Sequence, residues 1–228
     1  VQELWVCWIG EVPYREALPL QERLRDARQA DAIADVLLLL EHPPVYTRGR
    51  RSTEAELPYG EAWYSQRGIE IVDVDRGGKV TYHGPGQLVG YPIMRVGSII
   101  GFLRTIEGAI VAALSDEGLE ASGGDDRPTG VWVGERKIAS IGIHVARHVT
   151  THGFAVNVDN DLTPFDWIVP CGLEGVEITS VSRETGRSEC LNGFRERMAL
   201  EFARACGMRR RVVTPAQLQA ALGALVGG

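Results

Sequence analysis

The chain has 228 residues, 44% hydrophobic and 24% charged, the composition of a globular protein rather than a disordered one. Its formal net charge is −6, which argues against general nucleic-acid binding, since that shows a basic excess or stripe. The apolar runs, residues 36–40 among them, are far too short to cross a bilayer, so no membrane association is expected.

In chain order, residues 4–10 alternate as a first strand. Pro13 opens a helix over 14–30, in which Pro19 predicts an irregularity. The apolar run 35–41 predicts a central strand. It runs into His42-Pro43-Pro44 and a polar loop over 47–59 carrying Arg48, Arg50 and Arg51. A strand over 69–74 leads into the densest glycine segment, from Arg76 to Gln87, and a strand over 88–94 leaves it. Residues 99–118 fit a helix with Phe102, Leu103, Ile106, Ile110 and Leu114 on one stripe. Residues 130–145 and 153–158 are strand-like, rich in β-branched side chains. A loop over 159–170 delivers Cys171-Gly172. A helix follows with Leu191, Phe194, Met198 and Phe202 on one stripe, and a last short helix begins near Pro215. No repeat or linker divides the chain. This grouping predicts an α+β fold with a mixed sheet and packed helices, as one domain over 1–228 with a helical C-terminal part over 189–228.

The four cysteines, Cys7, Cys171, Cys190 and Cys206, form no CxxC pair, so neither a disulfide framework nor a zinc site is indicated. With no secretory leader visible, a cytoplasmic setting is expected. Cys7 and Cys206 fall on apolar phases and read as small buried hydrophobes, and Cys190 has no partner motif. Cys171 stands between Pro170 and Gly172, where the backbone leaves room for an incoming oxyanion. That makes it a candidate nucleophile, with a structural role still open.

Of the 24 basic residues only Lys79 and Lys137 are lysines. An arginine-favouring coding composition explains the scarcity, but not which lysines remain. Strand alternation puts Lys137 in phase with Ala139, Ile141, Ile143 and Val145, where desolvation penalises an ammonium. Arginine could supply charge there but could not shuttle a proton. The alternative is a strand-end lysine that reaches back to water. A lysine beside a thiol would make a Cys–Lys dyad. Lys79 reads as a solvated turn residue.

The glycine segment contains no phosphate-binding G-x-x-x-x-G-K-[ST], and Gly84-Pro85-Gly86 misses the dinucleotide spacing. A tight turn would account for it, but His83 and Arg76 around so much permissive backbone suggest a closely approached ligand. His144, His148 and His152 recur every four residues, yet on strand such spacing does not converge on one ion, so no metal is expected.

These residues resemble the lipoyl(octanoyl) transferases. Arg76-Gly77-Gly78-x-x-Thr81-x-His83-Gly84-Pro85-Gly86-Gln87 is similar to the signature of that family. Lys137-Ile138-Ala139-Ser140-Ile141-Gly142, His152-Gly153-Phe154-Ala155-x-Asn157 and Ile168-Val169-Pro170-Cys171-Gly172 match its remaining blocks in order. The match covers about 37–185. The resemblance implies the lipoate/biotin protein ligase catalytic-domain fold. It implies transfer of an octanoyl group from octanoyl-acyl carrier protein to a lysine of lipoyl domains, in 2-oxoacid dehydrogenases and the glycine cleavage H protein. Cys171 would be the acyl-thioester nucleophile and Lys137 its proton shuttle. Substrate contacts would come from Arg76, Gly77, Gly78, Lys79, Val80, Thr81, Tyr82 and His83, from Ser140, Ile141 and Gly142, and from Gly153, Phe154 and Ala155. No cofactor is implied. Arg48, Arg50 and Arg51 are the candidate docking patch for an acidic carrier protein. The rival readings are an ATP-dependent lipoate or biotin ligase of the same fold, an acyl thioesterase, and a non-catalytic binder of acyl carrier or lipoyl domains.

Overall fold

The apolar run at 35–41 is buried almost throughout because it lies inside a sheet covered on both faces. The computed structural model describes residues 2–124, 126–169 and 175–223. Its strands are β1 (Glu3–Glu11), β2 (Asp35–Glu41), β3 (Val45–Arg48), β4 (Glu70–Asp73), β5 (Thr81–His83), β6 (Gln87–Ile93), β7 (Ala121–Ser122), β8 (Val131–Val133), β9 (Arg136–Ala146), β10 (Val149–Asn157) and β11 (Arg209–Val212). The helices are α1 (Tyr14–Gln29), α2 (Glu61–Ser65), α3 (Ile99–Ser115), α4 (Val181–Thr185), α5 (Leu191–Ala205) and α6 (Pro215–Gly223).

Eight strands form the large sheet in the order β11-β1-β2-β6-β10-β9-β8-β7, and β4-β3-β5 form a smaller one. β1 runs parallel to β2 and β11, whereas β6, β10, β9 and β8 pair antiparallel. Period-2 alternation divides the core between the two faces. Leu37 and Leu39 join Leu4, Val6, Leu88, Phe154 and Val156 beneath α3 and α5. Val36, Leu38 and Leu40 face the other way, with Val89, Tyr91 and Ala155, beneath α1 and α6. A third cluster, around Tyr46, Tyr64 and Tyr82, fills the small sheet. The fold is thus the expected α+β arrangement with a mixed sheet and packed helices.

Two expectations need correction. The C-terminal part is not wholly helical, because β11 adds a parallel edge strand to β1. Residues 209–212 carry three arginines, so no apolar pattern marks them as strand. Pro19 does not interrupt α1, which runs through it. Pro19 is exposed, while Tyr14, Ala17, Gln21, Leu24 and Ala27 seat the opposite face, and that packing outweighs the local penalty. Ser98 caps α3 by accepting the N–H of Gly101 at 3.1 Å. Among the described residues, no helix is long and apolar enough to cross a membrane.

Candidate functional site

A cavity of about 530 Å³ opens where the glycine segment crosses β9 and β10. The crossing is close: Gly77 N–H donates to the Ile143 carbonyl at 3.0 Å. A Cβ on Gly142 would stand 2.7 Å from the Gly77 carbonyl oxygen, so any side chain there would push the glycine segment off the sheet. Arg76, Gly77, Gly78, Lys79, Thr81 and His83 line one wall. Lys137, Ser140, Ile141 and Gly142 from β9, with Gly153, Phe154 and Ala155 from β10, line another. Val80 and Tyr82 point instead into the third core cluster, as alternation along the short β5 region requires. Cys171 lies outside the described residues.

Lys137 is 3% exposed, on the β9 phase that packs beneath α3 and α5. Its Nζ is 5.6 Å from the Trp132 ring centroid, within range of a cation–π interaction. Its backbone is clamped from both sides. Lys137 N–H donates to the Glu177 carbonyl at 2.8 Å, and Thr179 N–H donates to the Lys137 carbonyl at 2.9 Å. Asn157 Nδ2 holds the Thr179 carbonyl at 3.0 Å, and Val169 N–H reaches the Glu56 carbonyl at 3.1 Å. The chain on either side of 170–174 is therefore anchored to the cavity's own framework.

Behind the wall lies a buried polar network that the sequence did not reveal. His152 adopts φ +58 within β10, a left-handed conformation rare for a non-glycine residue. Its backbone N–H donates to Gln21 Oε1 at 2.7 Å. Its Nε2–H donates to Asp75 at 2.8 Å and its Nδ1 accepts from the Tyr14 hydroxyl at 3.2 Å, a tautomer assigned from the partners. The His152 hydrogen bond holds Asp75 down at about 2, while burial lowers His152 itself. His42 donates from Nδ1 to the Val12 carbonyl at 2.6 Å and accepts the Tyr91 hydroxyl at Nε2, also at 2.6 Å. Burial brings it down to about 4. His83 donates from Nδ1 to Gln87 Oε1 at 2.8 Å, leaving the Nε2 lone pair available, and burial holds it well below the usual histidine range. Burial pushes the Tyr14 phenol up to about 12. The three histidines and Tyr14 are therefore uncharged near neutrality, whereas Asp75 is ionised, and the buried Arg76 guanidinium is held by Thr47 at 2.6 and 2.8 Å.

Tyr14, Tyr91 and His152 line the cavity, yet they come from segments 60 or more residues apart. Only the motif position of His152 could have pointed to any of them. His144 reaches the other Asp75 oxygen at 3.5 Å, whereas His148 is exposed in the β9–β10 turn. Among the described residues no three His, Cys, Asp or Glu side chains converge on a metal position.

The three arginines of the loop differ in their surroundings. Arg48 is tied to Asp73 at 2.6 and 2.9 Å and to Glu61 at 3.1 Å. Arg50 and Arg51 donate their backbone N–H groups to the Arg76 and Gly78 carbonyls and are exposed, and Arg51 lines the cavity mouth. Lys79 is not a freely solvated side chain either, since its Nζ lies 3.1 Å from Glu56. Cys7 is buried as expected, and Cys190 and Cys206 pack partly buried against the core beneath α3 and α5.

Comparison with known proteins agrees with this geometry. Residues 13–203 match the model of the lipoyl protein ligase A/B catalytic domain. The octanoyltransferase of Caldicellulosiruptor saccharolyticus is 41% identical over 222 residues, covering 95% of this chain and 94% of its own. The octanoyltransferase of Mycobacterium tuberculosis is 46% identical over 197 residues, covering 84% and 82%. Among solved structures, the bi-partite lipoate protein ligase of Thermoplasma acidophilum superimposes with a TM-score of 0.76 at 18% identity, covering 99% of this chain and 92% of that one. At that identity the likeness speaks for the fold alone.

Proposed function

This chain belongs to the lipoyl protein ligase A/B catalytic-domain family, and from that premise we propose that its cavity is where an octanoyl group passes from carrier to acceptor. It is an acyl-transferring enzyme, and its octanoyltransferase relatives support octanoyl transfer in protein lipoylation. In our reading the donor is octanoyl-acyl carrier protein, and the acceptors are lipoyl domains and the glycine cleavage H protein. Cys171 carries the acyl group between them, and the whole chain acts as one catalytic domain in the cytoplasm. The observation that carries this reading is Lys137, a buried lysine in the wall of the cavity whose backbone is bonded to the segment that follows Cys171.

The reaction runs in two steps. Lys137 takes the Cys171 thiol proton. The thiolate attacks the carbonyl carbon of the octanoyl thioester, forming a new C–S bond as the carrier thiolate leaves and takes a proton from Lys137. The acceptor lysine amine then attacks the acyl-enzyme. A C–N bond forms, the Cys171 sulfur departs, and Lys137 receives a proton from the attacking amine. Thioester exchange is nearly balanced and aminolysis to an amide runs downhill, so the sequence of steps needs neither ATP nor a metal. The chain's six or so methylenes would contribute on the order of 5 kcal/mol when buried against Ile141, Phe154 and Leu103.

The test is intact mass spectrometry after mixing with octanoyl-acyl carrier protein. One hydroxylamine-labile octanoyl addition is expected, lost in Cys171→Ser. Lys137→Arg should fold normally and acylate at least ~100-fold more slowly. Undiminished lipoylation by Cys171→Ser would favour an ATP-dependent ligase instead, and release of free octanoate without acceptor would favour a thioesterase.

A further inference from the structure

This chain has two side-chain amines of lysine type, Lys79 and Lys137, and both line the one cavity described above. An enzyme that holds an acyl thioester beside an amine faces a competing reaction, because aminolysis to an amide is downhill. Lys137 is buried within the fold. Lys79 is the more accessible of the two, with a side chain 38% exposed, and it is engaged by a carboxylate that is only 4% exposed, that of Glu56.

Glu56 is unusually fixed for a residue in a polar loop. Its Oε2 accepts the Val80 N–H at 3.2 Å, its Oε1 accepts the Thr53 hydroxyl at 3.4 Å, and its backbone carbonyl accepts the Val169 N–H. Held so, the carboxylate cannot follow Lys79 outward, and a buried carboxylate stripped of its cation is strongly disfavoured. The pair therefore holds the Lys79 Nζ at Glu56, against the glycine segment, where it is not free to approach an acyl carbonyl. Arginine at this position would hold the pair equally well and could not be acylated under the same conditions, so a lysine here is a chemical exposure that most of the chain's basic positions avoid.

On the reading that this cavity holds an octanoyl thioester, we propose that Lys79 is a latent self-acylation site guarded by Glu56. With the pair broken, the Lys79 amine attacks the thioester carbonyl. A C–N bond forms and the C–S bond breaks. One of the two protons that the ammonium gives up leaves with the thiol and the other goes to solvent. The product is an Nε-octanoyl amide on Lys79, whose chain occupies the cavity that the next donor needs.

The experiment uses S-octanoyl-N-acetylcysteamine as donor and no acceptor, followed by hydroxylamine treatment and peptide mapping of the full chain. Glu56→Gln, which keeps the shape and an acceptor for Val80, is expected to form the hydroxylamine-stable amide at Lys79 on the order of tenfold faster than the unaltered protein. Adding Lys79→Arg should remove that product. A Glu56→Gln protein that takes up the labile octanoyl group but no stable one at Lys79 would overturn the proposal. Failure of the unaltered protein to form any labile adduct would show the transfer reading itself to be wrong, and the guard with it.

Discussion

The Lys137 side chain lies so close over Gly130 that a Cβ on Gly130 would stand 2.7 Å from Cε and 3.3 Å from Nζ. Gly130 also holds φ +142 and donates its N–H to the buried Glu107 at 3.3 Å. The glycine leaves the space in which the lysine extends. A Cβ there would also stand 2.6 Å from the Ala139 carbonyl oxygen, so Gly130→Ala should lower stability and, in the molecules that fold, displace the Lys137 amine; a shift of about 1 Å in such a group costs on the order of 100-fold in kcat. Gly108→Ala, on α3 where a Cβ meets nothing within 4 Å, is the matched control and should keep wild-type kcat. Equal rates for the two variants would remove Lys137 placement from the mechanism.

Buried neutral histidines make stability depend on pH in a definite direction. His42 is fully buried and held at about 4, against 6.5 for an ordinary histidine. The unfolded chain takes up that proton first as pH falls, so stability is intact above about 6.5 and lost as pH falls through 4. His42 alone accounts for up to ~3 kcal/mol of that loss, and His83 and His152 shift in the same direction. Asp75 adds a further loss only between its ordinary 3.8 and about 2. Urea midpoints measured from pH 7.5 to 4.5 should decline, and His42→Gln should flatten the decline. A pH-independent midpoint over that range would show that these histidines titrate in the fold as they do in the unfolded chain.

On the proposed reading that an acidic carrier protein docks at the cavity mouth, Arg51, which lines it, is better placed to meet it than Arg48, which is held by Asp73 and Glu61. Arg51→Glu should lower kcat/KM for the carrier by about tenfold at low salt, with the difference shrinking as salt is added. Arg48→Glu should chiefly perturb the ion pairs to Asp73 and Glu61 and the loop they hold. An unchanged kcat/KM for Arg51→Glu at low salt would discount this surface.

Much of the architecture was legible because its signals are local. The burial of residues 35–41 on both faces, the apolar stripes of α3 and α5 and the α+β grouping all follow from periodicity, which the chain carries without reference to distant partners. The glycine segment was legible for a different reason. Backbone that tolerates positive φ and close approach is rare enough that Arg76-Gly77-Gly78 stands out before any contact is known. By contrast, β11 was hidden because a charged edge strand gains its place from backbone pairing with β1, not from side chains.

The sequence by itself thus determined the chemical inventory: which side chain is a removable proton source on an apolar strand phase, where glycine permits a close crossing, and which family the motifs resemble. Tertiary structure alone decided the company those groups keep. Tyr14, Asp75, Tyr91 and His152 converge through α1, a loop and two strands, and the strained backbone of His152 becomes meaningful only beside Gln21 and Asp75. Glu56 becomes a buried partner of Lys79 only once the loop folds under the glycine segment. The physical reason is that hydrogen bonding and burial depend on distance in space, whereas periodicity and turn chemistry depend on distance along the chain.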